Sequence, residues 1–277
     1  MATIGFVGLG AMGGRTAGRL LSLGHEVYGT NRTRSKADPL IEQGMVWCDS
    51  PREVAEATDI VFSTVTDSTA LEAVTDGPDG ILAGLAPGQV YVDMSTVNPQ
   101  NTRELAARVA ARGASMLAAP ISGSGPAARD GTLEIIAGGD AEAFERVEPI
   151  LRQLGSTVTF VGDNGQALLL KLAINVSLAV HMLALSEGVR LAEQGGIKRN
   201  LALDVLLRSA TGSPLLQSRA PHLLELPDKA WFDVHDLLSA ARVLGYEHHD
   251  IAALFQVFSE MVTAPAGRGL GFGGTSS

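Results

Sequence analysis

The stretch "TIGFVGLGAMGGRTAGRLLSLG", residues 3–24, decides how this chain folds. Its first part, residues 3–9, is a short apolar run of the kind that forms a buried strand. Residues 11–24 then space their apolar side chains as the buried face of a helix does. Between the two lies G-x-G-x-x-G spacing, at Gly8, Gly10 and Gly13. The stretch therefore predicts a strand, a tight glycine turn and a helix.

This context favours a dinucleotide-binding turn over a glycine-rich turn without a ligand. Gly8 would make the tight turn, Gly10 would let a pyrophosphate approach the backbone, and Gly13 would let the helix pack on the strand. The N-terminus of the helix would face the phosphates, because its free N–H groups attract anions. The predicted cofactor-binding residues of this turn are Gly8, Leu9, Gly10, Ala11, Met12 and Gly13.

Strand-like and helix-like segments alternate through the first two-thirds of the chain. The main further segments are predicted strands at residues 26–30, 59–65, 89–95 and 157–162 and predicted helices at residues 34–44 and 99–113. Alternation of this kind predicts an α/β fold with a parallel, doubly wound sheet and helices on both faces.

At about Gly165 the pattern changes, because no turn residue interrupts a helical pattern until about Glu193. Such a helix would be about 43 Å long, which exceeds an ordinary crossover helix. Because it is apolar almost all round, it is expected to be buried on nearly every side. The predicted domains are a dinucleotide-binding α/β domain, a helical domain and a flexible tail, at residues 1–163, 164–265 and 266–277.

Composition and charge exclude several classes of protein. The net charge of −9 argues against binding to nucleic acid, which needs a basic surface. A single cysteine, Cys48, excludes a disulfide framework and a cysteine-based zinc cluster. The N-terminus lacks the features of a signal peptide, and the apolar residues 167–185 contain Lys171 and lack flanks typical of a membrane anchor. We therefore expect a cytoplasmic protein with a small-molecule substrate and without a bound metal.

The end of the second predicted strand indicates which nicotinamide cofactor the chain prefers. An acidic residue there would bind the ribose 2′-hydroxyl of NAD, but this chain has Asn31, Arg32 and Thr33 and no carboxylate until Asp38. Arg32 can stack on the adenine and pair with a 2′-phosphate, and Thr33 can donate its hydroxyl. A solvated basic loop remains the alternative, but the sequence favours NADP.

Two loops rich in serine and glycine follow later predicted strands and belong near the nicotinamide, since ligands bind beyond the carboxyl ends of such strands. The loop "DMSTVNP" offers hydroxyls at Ser95 and Thr96. The loop "PISGSGPAARDGTL" offers side-chain and backbone donors for a carboxylate at Ser122, Gly123 and Ser124. Taken singly, either loop could be an ordinary turn.

Together with "GQALLLKLAIN" and "GFVGLGAMG", these loops resemble the four ordered motifs of the β-hydroxyacid dehydrogenase family, which includes 3-hydroxyisobutyrate dehydrogenase and semialdehyde reductases. The resemblance covers roughly the first 190 residues. It implies a Rossmann-like domain, a long interdomain helix and a helical C-terminal domain that helps to form homodimers. It implies an NADP-dependent enzyme that interconverts a small semialdehyde acid and its hydroxy acid.

The resemblance also implies roles for individual residues. Lys171 would be the catalytic acid and base with Asn175 beside it, and Ser95 and the Ser122–Ser124 loop would contact the substrate. It places Thr96, Val65 and Thr66 near the cofactor, although the family often has Leu-Pro where this chain has Val65 and Thr66.

Elementary chemistry supports the role of Lys171 independently. Hydride transfer to a carbonyl develops negative charge on its oxygen, which needs a nearby proton donor. A lysine in an apolar cleft has a lowered pKa and suits that role in both directions. Asn175, four residues further along the helix, can bind the same oxygen. A lysine that reaches the surface at a domain boundary is the alternative.

The C-terminal third departs from the family pattern. His235 stands where the family has a second lysine near the substrate, so one fixed positive charge is missing there. Two alternative functions therefore remain open. One is imine reduction with NADPH, against which Lys171 weighs because imine reductases carry Asp or Tyr there. The other is a non-catalytic NADP-binding protein, which would not need Lys171 or Asn175.

Overall fold

The structure of this protein is a computed structural model, and it describes residues 3–219. The chain forms two compact units, Met1–Leu172 and Ala173–Ser277. His235, the later predicted helices and the predicted tail lie outside the described residues. The boundary between the units falls inside the long helix, nine residues after the predicted domain boundary at residues 163 and 164.

The described part of the first unit contains one nine-stranded sheet. Its strands are β1 Thr3–Val7, β2 Glu26–Thr30, β3 Val46–Trp47, β4 Ile60–Ser63, β5 Val90–Asp93, β6 Ser115–Ala118, β7 Ile121–Ser122, β8 Leu133–Gly139 and β9 Gly155–Phe160. The order is β3-β2-β1-β4-β5-β6-β8-β7, with β9 paired to β8. The first six strands are parallel, in the order typical of a Rossmann fold.

The helices of the described residues connect these strands and continue into the second unit. They are α1 Gly13–Ser22, α2 Asp38–Ile41, α3 Pro51–Ala57, α4 Ser68–Thr75, α5 Ile81–Gly84, α6 Pro99–Ala110, α7 Gly125–Asp130, α8 Ala141–Leu154, α9 Asn164–Gln194, α10 Arg199–Arg208 and α11 Pro214–Arg219. Ser50, Asp67, Asn98 and Asp140 accept backbone N–H groups at the starts of α3, α4, α6 and α8. These side chains fix where each helix begins.

The predicted fold class is confirmed, with differences in detail. Strand β8 runs antiparallel to β6 and β7, so the sheet is mixed where a fully parallel sheet was predicted. The predicted helix at residues 34–44 is instead a 3-10 turn, Arg34–Lys36, followed by α2. Pro39 explains the break, since proline lacks an N–H group and its ring clashes with the preceding turn of a helix. Pro39 is therefore confined to the first turn of α2.

The hydrophobic core of the first unit lies between the sheet and its helices. Phe6 of β1 and Phe62 of β4 stack at its centre with ring centroids 5.8 Å apart. Helix α1 adds Ala17 and Leu20, which are both fully buried. This core fixes the carboxyl ends of β1 and β4, from which the glycine turn and the loop to α4 begin.

Helix α9 extends almost as predicted, but its burial does not match the prediction. By length and apolar composition it could cross a membrane, a property that core helices of water-soluble proteins share. Only 25% of the most apolar 18-residue stretch of α9 is buried, and Leu191 is 71% exposed. In the second unit, the described part of α9 packs with α10 and α11 through a small cluster, Leu185, Val189, Leu203 and Leu216. The expectation of burial on nearly every side is therefore wrong for the described residues.

Candidate active site

The glycine turn between β1 and α1 has the shape that a pyrophosphate requires. Gly8 has φ +91°, and a Cβ atom there would collide with the carbonyl oxygen of Thr64. A Cβ at Gly13 would collide with the carbonyl oxygen of Gly8. A Cβ at Gly10 would meet nothing within 4 Å. Gly8 and Gly13 are therefore needed for the fold, whereas Gly10 leaves the space that a ligand would fill.

The N-terminus of α1 is open to an anion. Met12 precedes the helix without a side-chain cap, and its first turn contains no acidic residue. Free N–H groups and the positive end of the helix dipole attract phosphate at such a position. The turn and the helix N-terminus together fit the pyrophosphate of a dinucleotide.

Asn31 joins the glycine turn to the end of β2. Its Oδ1 accepts the N–H of Leu9 at 3.0 Å, and its Nδ2 donates to the carbonyl of Thr33 at 2.8 Å. Leu9 is 2% exposed, so its side chain faces the core. Both ends of the Asn31 amide are therefore engaged within the protein, and Asn31 positions the two loops that would hold the cofactor.

The two arginines after β2 differ in their surroundings. The guanidinium of Arg34 lies over the ring of Trp47, 5.2 Å from its centroid, whereas Arg32 is exposed. Arg32 is close enough to Asp67 for its charge to contribute to the lowered pKa of that carboxyl, whose main cause is the hydrogen bond from Ala70. Strands β2 and β4 are the parallel neighbours of β1, so the loops that carry Arg32 and Asp67 leave the same edge of the sheet. Thr66 lies there too, and its hydroxyl donates to Asp67 at 2.9 Å.

A buried polar network lies beneath the loops after β4 and β5. The hydroxyls of Ser63 and Ser95 donate to the same oxygen of Asp93, at 2.7 Å and 2.6 Å, and Tyr91 lies 2.8 Å from Ser63. The backbone N–H of Val65 donates to the hydroxyl of Ser95 at 2.9 Å. Burial raises the pKa of Asp93, and the hydrogen bonds from the two serines oppose this. The network therefore ties the two loops to each other.

This network gives Ser95 a role that differs from the predicted contact with the substrate. Ser95 is 2% exposed, and its hydroxyl both donates and accepts within the protein. It could contact a substrate only by giving up one of these bonds, so its place in the structure favours positioning. The sequence signal for the network is a polar residue at the carboxyl end of each apolar strand, Ser63 in "IVFS" and Asp93 in "VYVD". Neither Ser63 nor Asp93 was among the site residues predicted from the sequence.

The other residues predicted to lie near the nicotinamide and the substrate are partly accessible to solvent. Thr96 and Ser122 are half-buried, and Gly123 and Ser124 are exposed. Ser122 ends β7, and Ser124 precedes α7 without capping it, so its hydroxyl is free of that helix. The loop can therefore present hydroxyl and N–H donors to a ligand.

Lys171 is buried on α9, with 8% of its surface exposed. Among residues 3–219, no carboxylate forms an ion pair with it within 4.0 Å. Burial lowers the pKa of the Lys171 ammonium to about 8, while the negative charge of Glu134 opposes this shift. Asn175 follows one turn later on the same helix and is half-buried. Lys171 thus has the surroundings of a group that exchanges protons near neutral pH.

The fold and this geometry define a Rossmann-type dinucleotide-binding protein with a buried lysine on the helix that follows its sheet. The chain belongs to the β-hydroxyacid dehydrogenase family. The family profile of the NAD binding domain of 6-phosphogluconate dehydrogenase matches residues 3–162. The profile of the NAD-binding domain of NADP-dependent 3-hydroxyisobutyrate dehydrogenase matches residues 165–261.

Individual relatives carry different names. Cytokine-like nuclear factor N-PAC of Xenopus tropicalis is 37% identical over 222 residues, 80% of this chain and 42% of that protein. Glyoxylate/succinic semialdehyde reductase 2, chloroplastic, of Arabidopsis thaliana is 32% identical over 223 residues, 80% of this chain and 62% of that protein. The crystal structure of 3-hydroxyisobutyrate dehydrogenase from Salmonella typhimurium matches with a TM-score of 0.83 and 25% identity, over 94% of each chain. This chain spans about 40% of the length of the N-PAC relatives.

Gly8→Ala is expected to affect stability, whereas Gly10→Ala is expected to affect cofactor binding. Gly8→Ala should lower the free energy of unfolding by about 2–4 kcal/mol, because alanine resists positive φ and its methyl group collides with Thr64. Gly10→Ala should fold normally but bind NADPH at least about tenfold more weakly, since its methyl group fills the open space. Denaturant unfolding and NADPH fluorescence titration measure the two effects. Unchanged NADPH binding by Gly10→Ala would contradict the proposed cofactor position.

The buried Lys171 ammonium is expected to destabilise the folded protein at neutral pH. The pKa of Lys171 falls from 10.5 in the unfolded chain to about 8 in the folded protein. Between these two pH values the unfolded chain binds more protons than the folded protein, so the free energy of unfolding rises with pH there. Lys171→Met should therefore raise the free energy of unfolding by up to about 3 kcal/mol at pH 7. Denaturant unfolding at pH 7 and pH 10 tests this. The gain in the free energy of unfolding should be smaller at pH 10 than at pH 7. An equal gain at both pH values would contradict the buried ammonium as its cause.

Proposed function

We propose that this protein is an NADP-dependent oxidoreductase that interconverts a small semialdehyde acid and its hydroxy acid. The observation that carries the proposal is Lys171, a lysine that is 8% exposed with its pKa lowered to about 8. A structural role gives no reason to bury an ammonium without an ion pair, whereas proton transfer does. The presence of a semialdehyde reductase among the relatives supports the same reaction class.

The cofactor, when bound, supplies or accepts a hydride at its nicotinamide ring. In reduction, the Lys171 ammonium gives its proton to the substrate oxygen as negative charge develops there. In oxidation, the neutral amine takes the proton of the hydroxyl. The burial of Lys171 keeps its pKa near the working pH, where both protonation states are accessible. Asn175 would hydrogen-bond the same oxygen and hold it in line.

Arg32 and the absence of an acid at the end of β2 support NADP over NAD. Arg32 is exposed, whereas Arg34 is occupied by Trp47. A guanidinium pairs with the 2′-phosphate in two parallel hydrogen bonds, which NAD cannot offer. Thr33, also exposed, would add a hydroxyl to the same phosphate.

The exposed loop Ser122–Gly123–Ser124 would bind the substrate carboxylate. Its hydroxyl and backbone N–H groups are donors, and adjacent N–H groups form a concave site for an anion. A small aldehyde held there by its carboxylate would reach Lys171 with its other end. Ser95 would act indirectly, by holding the loop that carries Thr96 beside the nicotinamide.

Mixing the purified protein with NADPH and a panel of semialdehydes, and following absorbance at the nicotinamide band, tests this function. We expect turnover of at least one carboxylate-bearing aldehyde and its loss in Lys171→Ala. Turnover of cyclic imines with no aldehyde activity would instead support imine reduction. An active Lys171→Ala variant would contradict the assigned proton donor.

A second candidate function is binding of NADP without turnover. The observation that favours it is that the N-PAC relatives, at 36–39% identity, are named as nuclear factors and not as dehydrogenases. Such a protein would bind NADPH through the glycine turn but would have no use for a buried lysine. Tight NADPH binding without oxidation of any aldehyde or imine would support this function.

A further inference from the structure

Arg15 is a cation to which the proposed function gives no role. It is the third residue of α1 and follows the exposed Ala11 of the glycine turn by one helical turn, and its own side chain is exposed. Its Nη1 donates a hydrogen bond to the carbonyl oxygen of Ala11. Among residues 3–219, no carboxylate forms an ion pair with Arg15 within 4.0 Å. The contacts of this guanidinium are therefore with the backbone.

The same guanidinium lies against the first residue of α7. A Cβ atom at Gly125 would lie 3.0 Å from both Cζ and Nε of Arg15 and 3.3 Å from its Cδ. The guanidinium thus occupies space that any side chain at Gly125 would need. Gly125 directly follows the Ser122–Ser124 loop. Arg15 therefore contacts the glycine turn and the end of the predicted substrate loop at once.

A second arginine contact shows how α1 and α7 are oriented. A Cβ atom at Gly131, the residue that ends α7, would lie 3.0 Å from Nε of Arg19. Arg15 thus meets the start of α7, and Arg19, one turn further along α1, meets its end. The two helices therefore pack side by side in the same direction. Consequently the glycine turn before α1 and the Ser122–Ser124 loop before α7 lie at the same end of this helix pair.

The core supports the middle of the same loop. Gly123 has φ +142°, and a Cβ atom there would lie 2.9 Å from Cδ2 of the fully buried Leu133 and 3.2 Å from the Cβ of Ala127. The hydroxyl of Ser124 does not cap α7. The core thus fixes the loop at Gly123, whereas Arg15 contacts the point at which the loop enters α7.

The separation of the two loops matters for the proposed reaction. The glycine turn would hold the pyrophosphate, and the Ser122–Ser124 loop would hold the substrate carboxylate. Their separation therefore sets where the aldehyde end of the substrate lies relative to the nicotinamide, and a misplacement of about 1 Å can lower a rate by about 10²-fold. A guanidinium that is hydrogen-bonded to one loop and packed on the end of the other restricts this separation.

We propose that Arg15 is a positioning residue for the substrate carboxylate, because it holds the Ser122–Ser124 loop against the glycine turn through its contact with Gly125. This inference rests on the proposed oxidoreductase function. Arg15 acts through the loop and does not touch the reacting atoms. Its loss should weaken recognition of the carboxylate but leave cofactor binding almost unchanged, since Gly8 and Gly13 shape the turn itself.

The test compares 4-oxobutanoate with butanal, an aldehyde of the same chain length without a carboxylate. The ratio of their kcat/KM values measures carboxylate recognition, and hydrogen exchange of the amides of residues 123–128 measures opening of the loop. We expect Arg15→Ala to lower the ratio about tenfold, to speed this exchange about tenfold and to change the Kd of NADPH by less than about threefold. Arg129→Ala, which removes an exposed arginine of α7 paired with Asp130, is the control and should leave the ratio unchanged.

A double-mutant cycle assigns the effect to the contact with Gly125. Gly125 is a helical residue, so alanine fits its backbone, and the added methyl group displaces the flexible end of the Arg15 side chain. In the Gly125→Ala background, Arg15→Ala should therefore change the ratio by less than about twofold. An equal effect in both backgrounds would overturn the inference, and so would an equal loss of kcat/KM for the two aldehydes.

The exchange measurement distinguishes this inference from the proposed function, because it needs no turnover. Faster loop exchange in Arg15→Ala, with neither aldehyde reduced by the wild-type protein, would support the hold of Arg15 on the loop and count against the function. Reduction of 4-oxobutanoate by the wild-type protein, with loop exchange and the ratio unchanged in Arg15→Ala, would overturn the inference and leave the function standing.

Discussion

Lys171→Ala is expected to lower kcat for aldehyde reduction by about 10²- to 10⁴-fold, the usual contribution of a positioned proton donor. The variant should bind NADPH as wild type does, because the glycine turn and α1, and not Lys171, would contact the pyrophosphate. Stopped-flow measurement of hydride transfer and fluorescence titration of NADPH separate the two properties. Loss of both together would indicate a structural role for Lys171.

The control for this variant is Lys198→Ala. Lys198 is exposed and precedes α10, so its removal takes away one positive charge far from the candidate site along the chain. Its kcat should stay within about twofold of wild type, as is usual for surface substitutions. An equal loss of activity in both variants would contradict a specific role for Lys171.

The pH dependence should have opposite signs in the two directions. With the pKa of Lys171 lowered to about 8, reduction needs the ammonium and should decline as pH rises above about 8. Oxidation needs the neutral amine and should increase through the same pH range. Values of kcat/KM for reduction and for oxidation, measured from pH 6 to pH 10, test these two trends. Profiles of the same sign would contradict proton transfer by Lys171.

Arg32→Glu is expected to lower the preference for NADPH over NADH by at least about 10²-fold. The substitution removes the guanidinium that would bind the 2′-phosphate and adds a carboxylate that repels it while binding the ribose hydroxyl of NAD. The ratio of kcat/KM for the two cofactors, together with their Kd values, measures the change. A preserved NADPH preference would show that the 2′-phosphate lies elsewhere.

Arg34→Ala is the matched control for Arg32→Glu. Arg34 stands two residues away and is also exposed, but its guanidinium lies over Trp47. Its loss should change the cofactor preference by less than about threefold, because its guanidinium is engaged by the ring of Trp47. An equal effect of the two substitutions would indicate a diffuse electrostatic attraction instead of a specific contact.

Local sequence patterns were enough to predict the elements that surround the cofactor. The glycine spacing is a local signal, since Gly8 takes the positive φ of a tight turn and Gly13 packs against Gly8, and the structure has the predicted strand, turn and helix there. The strand at residues 26–30 was also predicted, as was the long helix, whose helical pattern no turn residue interrupts. The short elements β3 and α7 were missed because a few residues carry no measurable period.

The sequence by itself determined the class of this protein: an α/β dinucleotide-binding fold, a basic residue at the end of β2 and a lysine in an apolar helix. Only the tertiary structure decided which hydrogen-bond and charge partners the side chains of the site have. Ser95 is held by Asp93, the last residue of β5, and by Val65, in the loop after β4. The negative charge of Glu134 opposes the lowering of the pKa of Lys171, although the two residues are 37 positions apart in the chain. Periodicity reports only which face of an element is buried, whereas contacts between distant segments depend on how the sheet and α9 pack together.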